Sequence, residues 1–258
     1  MTLYDAIGKN YNATRKPDPR IVRRLLELLD LPLGSTIADV GAGTGNYSRA
    51  IAEAGYRVMA IEPSTIMRQQ GIPHPQLSWI AGSAEAIPLA DKAVDGVVVM
   101  LALHHFHNLE RGLKEIARIS RSGKMVLFAF EQAKIPEFWL TDYFPYFIGD
   151  TLSTFPSTQE IARLITQTSQ KEVEIITYYL PPNLSDLFAA SGWCQPQIYL
   201  DSQVRQGISS FNKMPKTELE AGLNRLQMDL KNGVWTEKYG HLQRQSRYDA
   251  GYRILVTK

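Results

Sequence analysis

Short apolar runs alternate with amphipathic segments along the first half of the chain. The runs predict β-strands at residues 36–40, 57–61, 77–81, 94–101 and 125–130. The segments between them carry apolar residues at helical spacing and predict helices at residues 46–54, 65–70 and 108–120, the second of them with Ser64 as its cap. An earlier helix is predicted to begin after Asp18, an N-cap residue, with Pro19 at its first position. This alternation is typical of a parallel sheet whose two faces are covered by helices.

The second half of the chain is less regular. Residues 131–155 are crowded with aromatic rings, and the capping box of Ser157 and Glu160 predicts a helix that ends near residue 168. Further strands are predicted at residues 173–179 and 252–257. Between them, residues 183–250 contain at least two amphipathic helices, one with Thr217 predicted as its cap. Such an insertion usually covers a binding site, although its rings can equally form a core or a dimer interface.

A glycine turn follows the first predicted strand. Gly41, Gly43 and Gly45 occupy alternate positions between the strand and the next helix, which brings backbone N–H groups against a ligand. Asn46 stands where a dinucleotide-binding motif would have its third glycine, and no phosphate-binding G-x-x-x-x-G-K-[ST] motif is present. The pattern by itself is also compatible with an ordinary turn between a strand and a helix.

Composition narrows the class of protein. The chain has 258 residues, 44% hydrophobic and 21% charged, which is ordinary for a globular protein. A formal net charge of +2 argues against a nucleic-acid surface, and the single cysteine, Cys194, excludes an internal disulfide or a cysteine metal cluster. The N-terminus lacks the apolar core of a signal peptide, and the longest apolar run, residues 97–103, is too short to cross a bilayer. We therefore expect a cytoplasmic protein without a membrane span.

Polar and small residues follow the other predicted strands at the edge of the sheet where ligands collect. Glu62, about twenty residues beyond Gly41, ends the second strand, where an acidic side chain can accept both hydroxyls of a ribose. The third strand is followed by the sequence GSAEAIP at residues 82–88, and the fourth leads into LHHF at residues 103–106. Together with Asp39 and the glycine turn, these motifs resemble the ubiquinone-biosynthesis-type branch of the class I S-adenosylmethionine-dependent methyltransferases.

The resemblance covers residues 4–131 and implies a fold. That fold is α/β, with a Rossmann-like seven-stranded sheet of order 3-2-1-4-5-7-6 in which strand 7 is antiparallel, and here it would carry a helical cap. We expect one domain over residues 1–258, divided into an N-terminal lid and helix (1–34), a cofactor-binding core (35–131) and acceptor-site insertions (132–172 and 183–250).

The resemblance also implies S-adenosyl-L-methionine as cofactor, S-adenosyl-L-homocysteine as product and a small, partly apolar or aromatic acceptor. The implied cofactor-binding residues are Tyr11, Arg15, Asp39, Gly41, Ala42, Gly43, Glu62, Pro63, Ser83, Ala84, Glu85, Met100 and Leu101. Tyr4 and Tyr11 are candidates for cation–π contact with the sulfonium, since the N-terminal segment of relatives folds over the cofactor. Arg15 is a candidate partner of a carboxylate on the cofactor or the acceptor, or else a surface arginine.

His104 and His105 are the candidate general bases, because an unperturbed histidine titrates near neutral pH. We expect their side chains to point in opposite directions at a strand end, and we predict no metal site because the cluster lacks nearby carboxylate or cysteine ligands. We expect a monomer or homodimer with a small-molecule acceptor and no nucleic-acid partner. The alternatives are an NAD(P)-dependent oxidoreductase with a similar core and a catalytically inactive cofactor-binding protein.

Overall fold

Seven strands form one sheet in the computed structural model, which describes residues 14–258. The strands are β1 (Thr36–Val40), β2 (Arg57–Ile61), β3 (Leu77–Ile80), β4 (Gly96–Met100), β5 (Met125–Phe130), β6 (Val173–Thr177) and β7 (Tyr252–Thr257). Their order is β3-β2-β1-β4-β5-β7-β6, and β7 runs antiparallel to both of its neighbours. The predicted fold class and strand order are therefore confirmed. The fourth strand is shorter than predicted, because Val94 makes only an isolated bridge to Ser120.

In the first half, a helix precedes β1 and the helices after it connect consecutive strands. They are α1 (Pro19–Leu29), α2 (Asn46–Glu53), α3 (Thr65–Gln69) and α4 (Leu109–Ile119). The side chains of Asp18, Ser64 and Asn108 cap three of these helices, because each accepts a hydrogen bond from a backbone N–H group of the first turn. The caps at Asp18 and Ser64 were predicted, whereas Asn108 was predicted to lie within its helix.

The helices of the second half, most of them short, follow β5. They are α5 (Leu140–Tyr143), α6 (Tyr146–Thr154), α7 (Thr158–Ser169), α8 (Ser202–Gln206), α9 (Ser209–Lys213), α10 (Lys216–Lys231) and α11 (Val234–Tyr239). Ser157 caps α7 as predicted. The prediction of Thr217 as the cap of α10 is wrong: Pro215 precedes the helix, which starts at Lys216, so Thr217 lies within the first turn.

The sheet separates two apolar layers, because successive strand residues point to opposite faces. Val97 and Val99 of β4 pack with α4 and α7, whereas Val98 belongs to the layer formed with α1 and α2. Helix α7 thus covers the sheet beside α4, and the cap expected over residues 132–172 is limited to its part before Thr158.

A cap of residues 132–155 and 181–250 lies on the layer that contains α1. Trp139, Phe144, Trp193, Tyr199 and Trp235 form its core, each with less than a twentieth of its surface exposed. Trp139 packs edge-on against both Tyr199 and Trp235, which ties the two separate cap segments together. Many of the aromatic residues noted in the second half of the sequence therefore stabilise the cap and do not face a ligand. Within residues 14–258, no helix has the length and apolar character required to cross a membrane.

Candidate active site

Two cavities meet at the carboxyl ends of β1, β2 and β4. The strand-end cavity, of about 430 Å³, is lined by residues that follow these strands and β3. It brings together nearly all of the predicted site residues that the structure describes: Arg15, Asp39, Gly41, Ala42, Gly43, Glu62, Pro63, Ser83, Ala84, Glu85, Met100, Leu101 and His105. Tyr4 and Tyr11 lie outside the described residues.

The glycine turn approaches its neighbours too closely for side chains. Gly41 and Gly43 have φ values of 76° and 58°, and a Cβ on Gly41 would lie 2.6 Å from Cβ of Ala102. Gly45 is required for a different reason than the sequence suggested. A Cβ there would lie 2.6 Å from the Trp79 ring on β3, so this glycine permits helix–sheet packing rather than ligand approach.

Glu62 links the end of β2 to the glycine turn. Its carboxylate is 8% exposed and accepts hydrogen bonds from the backbone N–H of Gly43 at 3.0 Å and of Ser64 at 2.8 Å. Burial raises the pKa of Glu62, while these two hydrogen bonds act in the opposite direction. Each oxygen keeps a further acceptor position, so the carboxylate is positioned to receive hydroxyl groups of a ligand.

Asp39 has an unsatisfied oxygen beside the same cavity. Ser48 Oγ donates to its Oδ2 at 2.5 Å, but Oδ1 has no hydrogen-bond partner among the described residues. Burial raises the pKa of Asp39 to about 6. Thr44, which was not predicted as a site residue, also lines the cavity, and its buried hydroxyl has no hydrogen-bond partner within residues 14–258. Its position between two glycines of the turn is the sequence feature that could have identified it as a site residue.

The loop after β3 closes one end of the strand-end cavity. Ser83 and Ala84 line it, and Glu85 accepts a hydrogen bond from the backbone N–H of Asn108 at 3.3 Å. Burial alone would raise the pKa of Glu85, but its backbone and side-chain hydrogen bonds lower the pKa overall.

An ion pair between the N-terminal segment and the cap also lines this cavity. Arg15 Nε lies 2.5 Å from Asp186 Oδ1, and Tyr47 donates its hydroxyl to Asp186 Oδ2 at 3.1 Å. Asp186 is 1% exposed, and the Arg15 side chain is 15% exposed. Arg15 is therefore not a surface arginine, and no feature of the sequence pattern had indicated Asp186 as its partner.

The aromatic cavity, of about 100 Å³, adjoins the strand-end cavity beneath the cap. Both cavities are lined by Arg15, Met100 and Leu101. The aromatic cavity is further lined by the rings of His104, Phe130, Phe138, Phe147, Phe155, Phe188 and Tyr252 and by polar groups of Thr151, Ser209 and Ser210. Most of its wall is therefore apolar, and residues from both cap segments contribute to it.

The two histidines lie on a 3₁₀ turn, residues 103–105, and not on a strand end as predicted. Their rings are 3.8 Å apart, yet His104 lines the aromatic cavity and His105 the strand-end cavity. His104 also stacks on Phe155 with ring centroids 4.1 Å apart. Burial, together with the positive charge of Lys213, lowers the pKa of both, and for His104 the shift is large. His104 is therefore a neutral hydrogen-bonding group near pH 7 and a weaker base than the sequence suggested.

Among residues 14–258, no group of three histidine, cysteine or acidic residues is arranged to hold a metal ion.

Comparison with known proteins identifies close and distant relatives. Residues 38–128 match a family model described as a methyltransferase domain. A crystal structure from Anabaena variabilis, described as a methyltransferase from an antibiotic biosynthesis pathway, is 47% identical. It has a TM-score of 0.92, with 95% of this chain and 99% of that chain covered.

Other relatives are more distant. Demethylmenaquinone methyltransferase of Corynebacterium urealyticum is 27% identical over 198 residues, or 67% of this chain and 85% of that protein. A phosphoethanolamine N-methyltransferase from Haemonchus contortus, solved with S-adenosyl-L-methionine, shares the fold at 13% identity. Its TM-score is 0.61, with 98% of this chain and 56% of that chain covered.

Proposed function

We propose that this chain, which belongs to the class I S-adenosylmethionine-dependent methyltransferases of the ubiquinone-biosynthesis type, methylates a small, uncharged, partly apolar or aromatic acceptor. The observation that supports this proposal is the junction of the two cavities at Arg15, Met100 and Leu101. A donor in the strand-end cavity and an acceptor in the aromatic cavity would share this junction. Methyl transfer is an in-line displacement and depends on such positioning.

The residues of the strand-end cavity fit the donor. The turn at Gly41 leaves no room for a side chain, so a ligand can lie against its backbone. The buried Asp39 Oδ1 has no partner among the described residues and can accept a hydrogen bond from a polar ligand. We assign Glu62 to the ribose hydroxyls and the backbone around Ser83 and Ala84 to the adenine. When bound, the donor supplies a methyl group activated on a sulfonium.

The aromatic cavity favours an uncharged acceptor. Among the described residues that line it, Arg15 is the only one with a formal charge; it is paired with Asp186 at 2.5 Å and also lines the strand-end cavity, where the donor would lie. His104 is neutral for the reason given above. An ionic acceptor would lose its hydration without gaining a free counter-charge, whereas a planar apolar ring would replace water against the phenylalanine rings. The quinone acceptor in the name of the Corynebacterium relative is of the same general kind.

We assign His104, and not His105, as the residue that contacts the acceptor. Its neutral imidazole can accept a hydrogen bond from a hydroxyl and orient the attacking atom toward the junction. The apolar wall around it excludes water, so the hydrogen bond is not weakened by solvent. Positioning and desolvation of the reactants, rather than general-base catalysis by a histidine, would then account for most of the rate enhancement.

Calorimetry with S-adenosylhomocysteine tests the donor site directly. Wild-type protein should bind, while Gly43→Val, which fills the turn, and Glu62→Ala should each weaken binding at least about tenfold. Undiminished binding in both variants would count against the assignment of the cavity. Quenching of the protein's fluorescence by NADH, with no response to S-adenosylmethionine, would favour an oxidoreductase instead.

Labelled methyl transfer tests the acceptor class. A panel of phenols and hydroquinones should be methylated in preference to carboxylic acids and amines of the same size. His104→Phe should raise the KM for the acceptor with little effect on donor affinity, and His105→Phe should act on donor affinity instead. Preference for a charged acceptor, or equal effects of the two substitutions on acceptor KM, would refute the proposed roles.

A further inference from the structure

The strand-end cavity has an unusual distribution of charge. Among the described residues that line this cavity, Arg15 is the only lysine or arginine, and four carboxylates line it as well. In the sheet, β3 and β4 lie on opposite sides of the β2–β1 pair. Arg15 also lines the aromatic cavity, together with Met100 at the end of β4, whereas Ser83 and Ala84 line the strand-end cavity alone.

Asp186 comes from the cap and is brought to the strand-end cavity by backbone pairing. Residues Arg15 and Asp186 form an antiparallel bridge, and the N–H of Leu187 donates to the carbonyl of Thr14 at 2.9 Å. The neighbouring Ser185 donates its backbone N–H to Asp18 at 3.1 Å. Residues 185–187 of the cap are thereby attached to the segment that leads into α1.

The Asp186 carboxylate is held on two sides. Oδ1 receives Arg15 Nε at 2.5 Å, and Oδ2 receives the Tyr47 hydroxyl at 3.1 Å, from the first turn of α2. Because Arg15 donates through Nε to Oδ1 and, at 3.5 Å, through Nη2 to Oδ2, the plane of the guanidinium is fixed by the carboxylate. A carboxylate buried to this degree is costly unless it is paired, so the arrangement is strongly determined once the cap is in place.

We propose, on the basis of the proposed function, that Asp186 is a positioning residue that orients Arg15 toward the carboxylate of the donor's amino-acid end. The cap then completes the donor site as well as covering the acceptor site. The nucleoside end of the donor meets the loops after β2 and β3, and its only anionic group meets the only lysine or arginine among the described residues of the cavity. Binding of the donor thereby depends on the position of residues 183–187 of the cap.

Two ligands separate this role from a merely structural one. S-adenosylhomocysteine carries the amino-acid end, and 5′-methylthioadenosine has the same nucleoside and thioether without it. Asp186→Asn and Arg15→Lys should each weaken S-adenosylhomocysteine binding by about 10- to 100-fold, as expected for loss of a charge-assisted contact, while the affinity for 5′-methylthioadenosine stays within about twofold. Calorimetry measures both affinities.

A matched control and a milder variant accompany this test. Asp249→Asn disrupts a comparable ion pair with Arg253, 2.7 Å apart and outside both cavities, and should change neither affinity. Tyr47→Phe removes only the hydroxyl that holds Asp186 Oδ2, and should lower S-adenosylhomocysteine affinity about threefold even if Asp186→Asn fails to fold.

Equal losses for the two ligands, or unchanged binding in Asp186→Asn and Tyr47→Phe, would overturn the positioning role. Either result leaves the proposed function standing as long as the wild-type protein binds S-adenosylhomocysteine. Absence of binding by the wild type would instead refute the proposed function itself.

Discussion

The backbone N–H of Gly43 donates to Glu62 Oε2 at 3.0 Å, so the glycine turn after β1 and the end of β2 form one unit. The other oxygen of the same carboxylate holds Ser64, the N-cap of α3. One side chain thus fixes two backbone segments on the floor of the strand-end cavity. The shape of that floor depends on Glu62 before any ligand is bound.

Glu62→Gln should destabilise the protein as well as weaken donor binding. One of the two backbone N–H groups would then face an amide NH₂ and be left unpaired in a buried site, which costs about 1–3 kcal/mol. Urea unfolding at pH 7 measures the loss. The control is Glu53→Gln, a 49% exposed partner of Arg49, which should change the free energy of unfolding by less than about 0.5 kcal/mol. Equal effects of the two substitutions would contradict the structural role of Glu62.

Asp39 should make stability fall as the pH rises from about 4 to 6. Its pKa is raised from 3.8 to about 6 in the folded protein, so in this window the folded state binds more protons than the unfolded state. The loss reaches about 3 kcal/mol and is constant above this window. Asp39→Asn removes the titration, so the difference in unfolding free energy between wild type and variant should grow across that window. A difference independent of pH would show that the carboxyl does not titrate in this range.

Gly45→Ala should be much more damaging than Gly34→Ala. Both glycines have positive φ, 72° and 81°, so both substitutions carry a backbone cost of about 1 kcal/mol. A Cβ at residue 34 meets nothing within 4 Å, whereas one at residue 45 would meet the Trp79 ring at 2.6 Å and add about 1–3 kcal/mol. Thermal unfolding measures both. Partial rescue of Gly45→Ala by Trp79→Leu would identify the clash as the cause, and equal losses at the two glycines would exclude it.

Leu101 has a φ of 50°, which is strained for a leucine, and it lines both cavities. Leu101→Gly should therefore be more stable than Leu101→Ala by about 1 kcal/mol, the reverse of the usual order of the two residues. Methyl transfer should decrease in both variants, because both open the junction between donor and acceptor. A glycine variant that is less stable than the alanine variant would show that the backbone at residue 101 is not strained.

The sequence by itself determined the sheet and the floor of the strand-end cavity. Strands β1, β2, β5 and β7 begin and end at the residues that the apolar runs indicate, and Asp18, Ser64 and Ser157 cap helices as expected. These features depend on local interactions, namely side-chain alternation, capping and glycine geometry, which short stretches of sequence encode. Parallel strands then carry the residues that follow them to one edge of the sheet.

Only the tertiary structure decided how the cap meets that edge. Arg15 and Asp186 are 171 positions apart, and no periodicity relates them. The separation of His104 and His105 into different cavities depends on a 3₁₀ turn and on Phe155 from α6's C-terminal end, and the division of residues 132–172 depends on how α7 packs against α4. Cap helices are held by long-range packing of rings rather than by local pattern, so their partners, and the residues that they bring to the cavities, emerge only when the whole chain is folded.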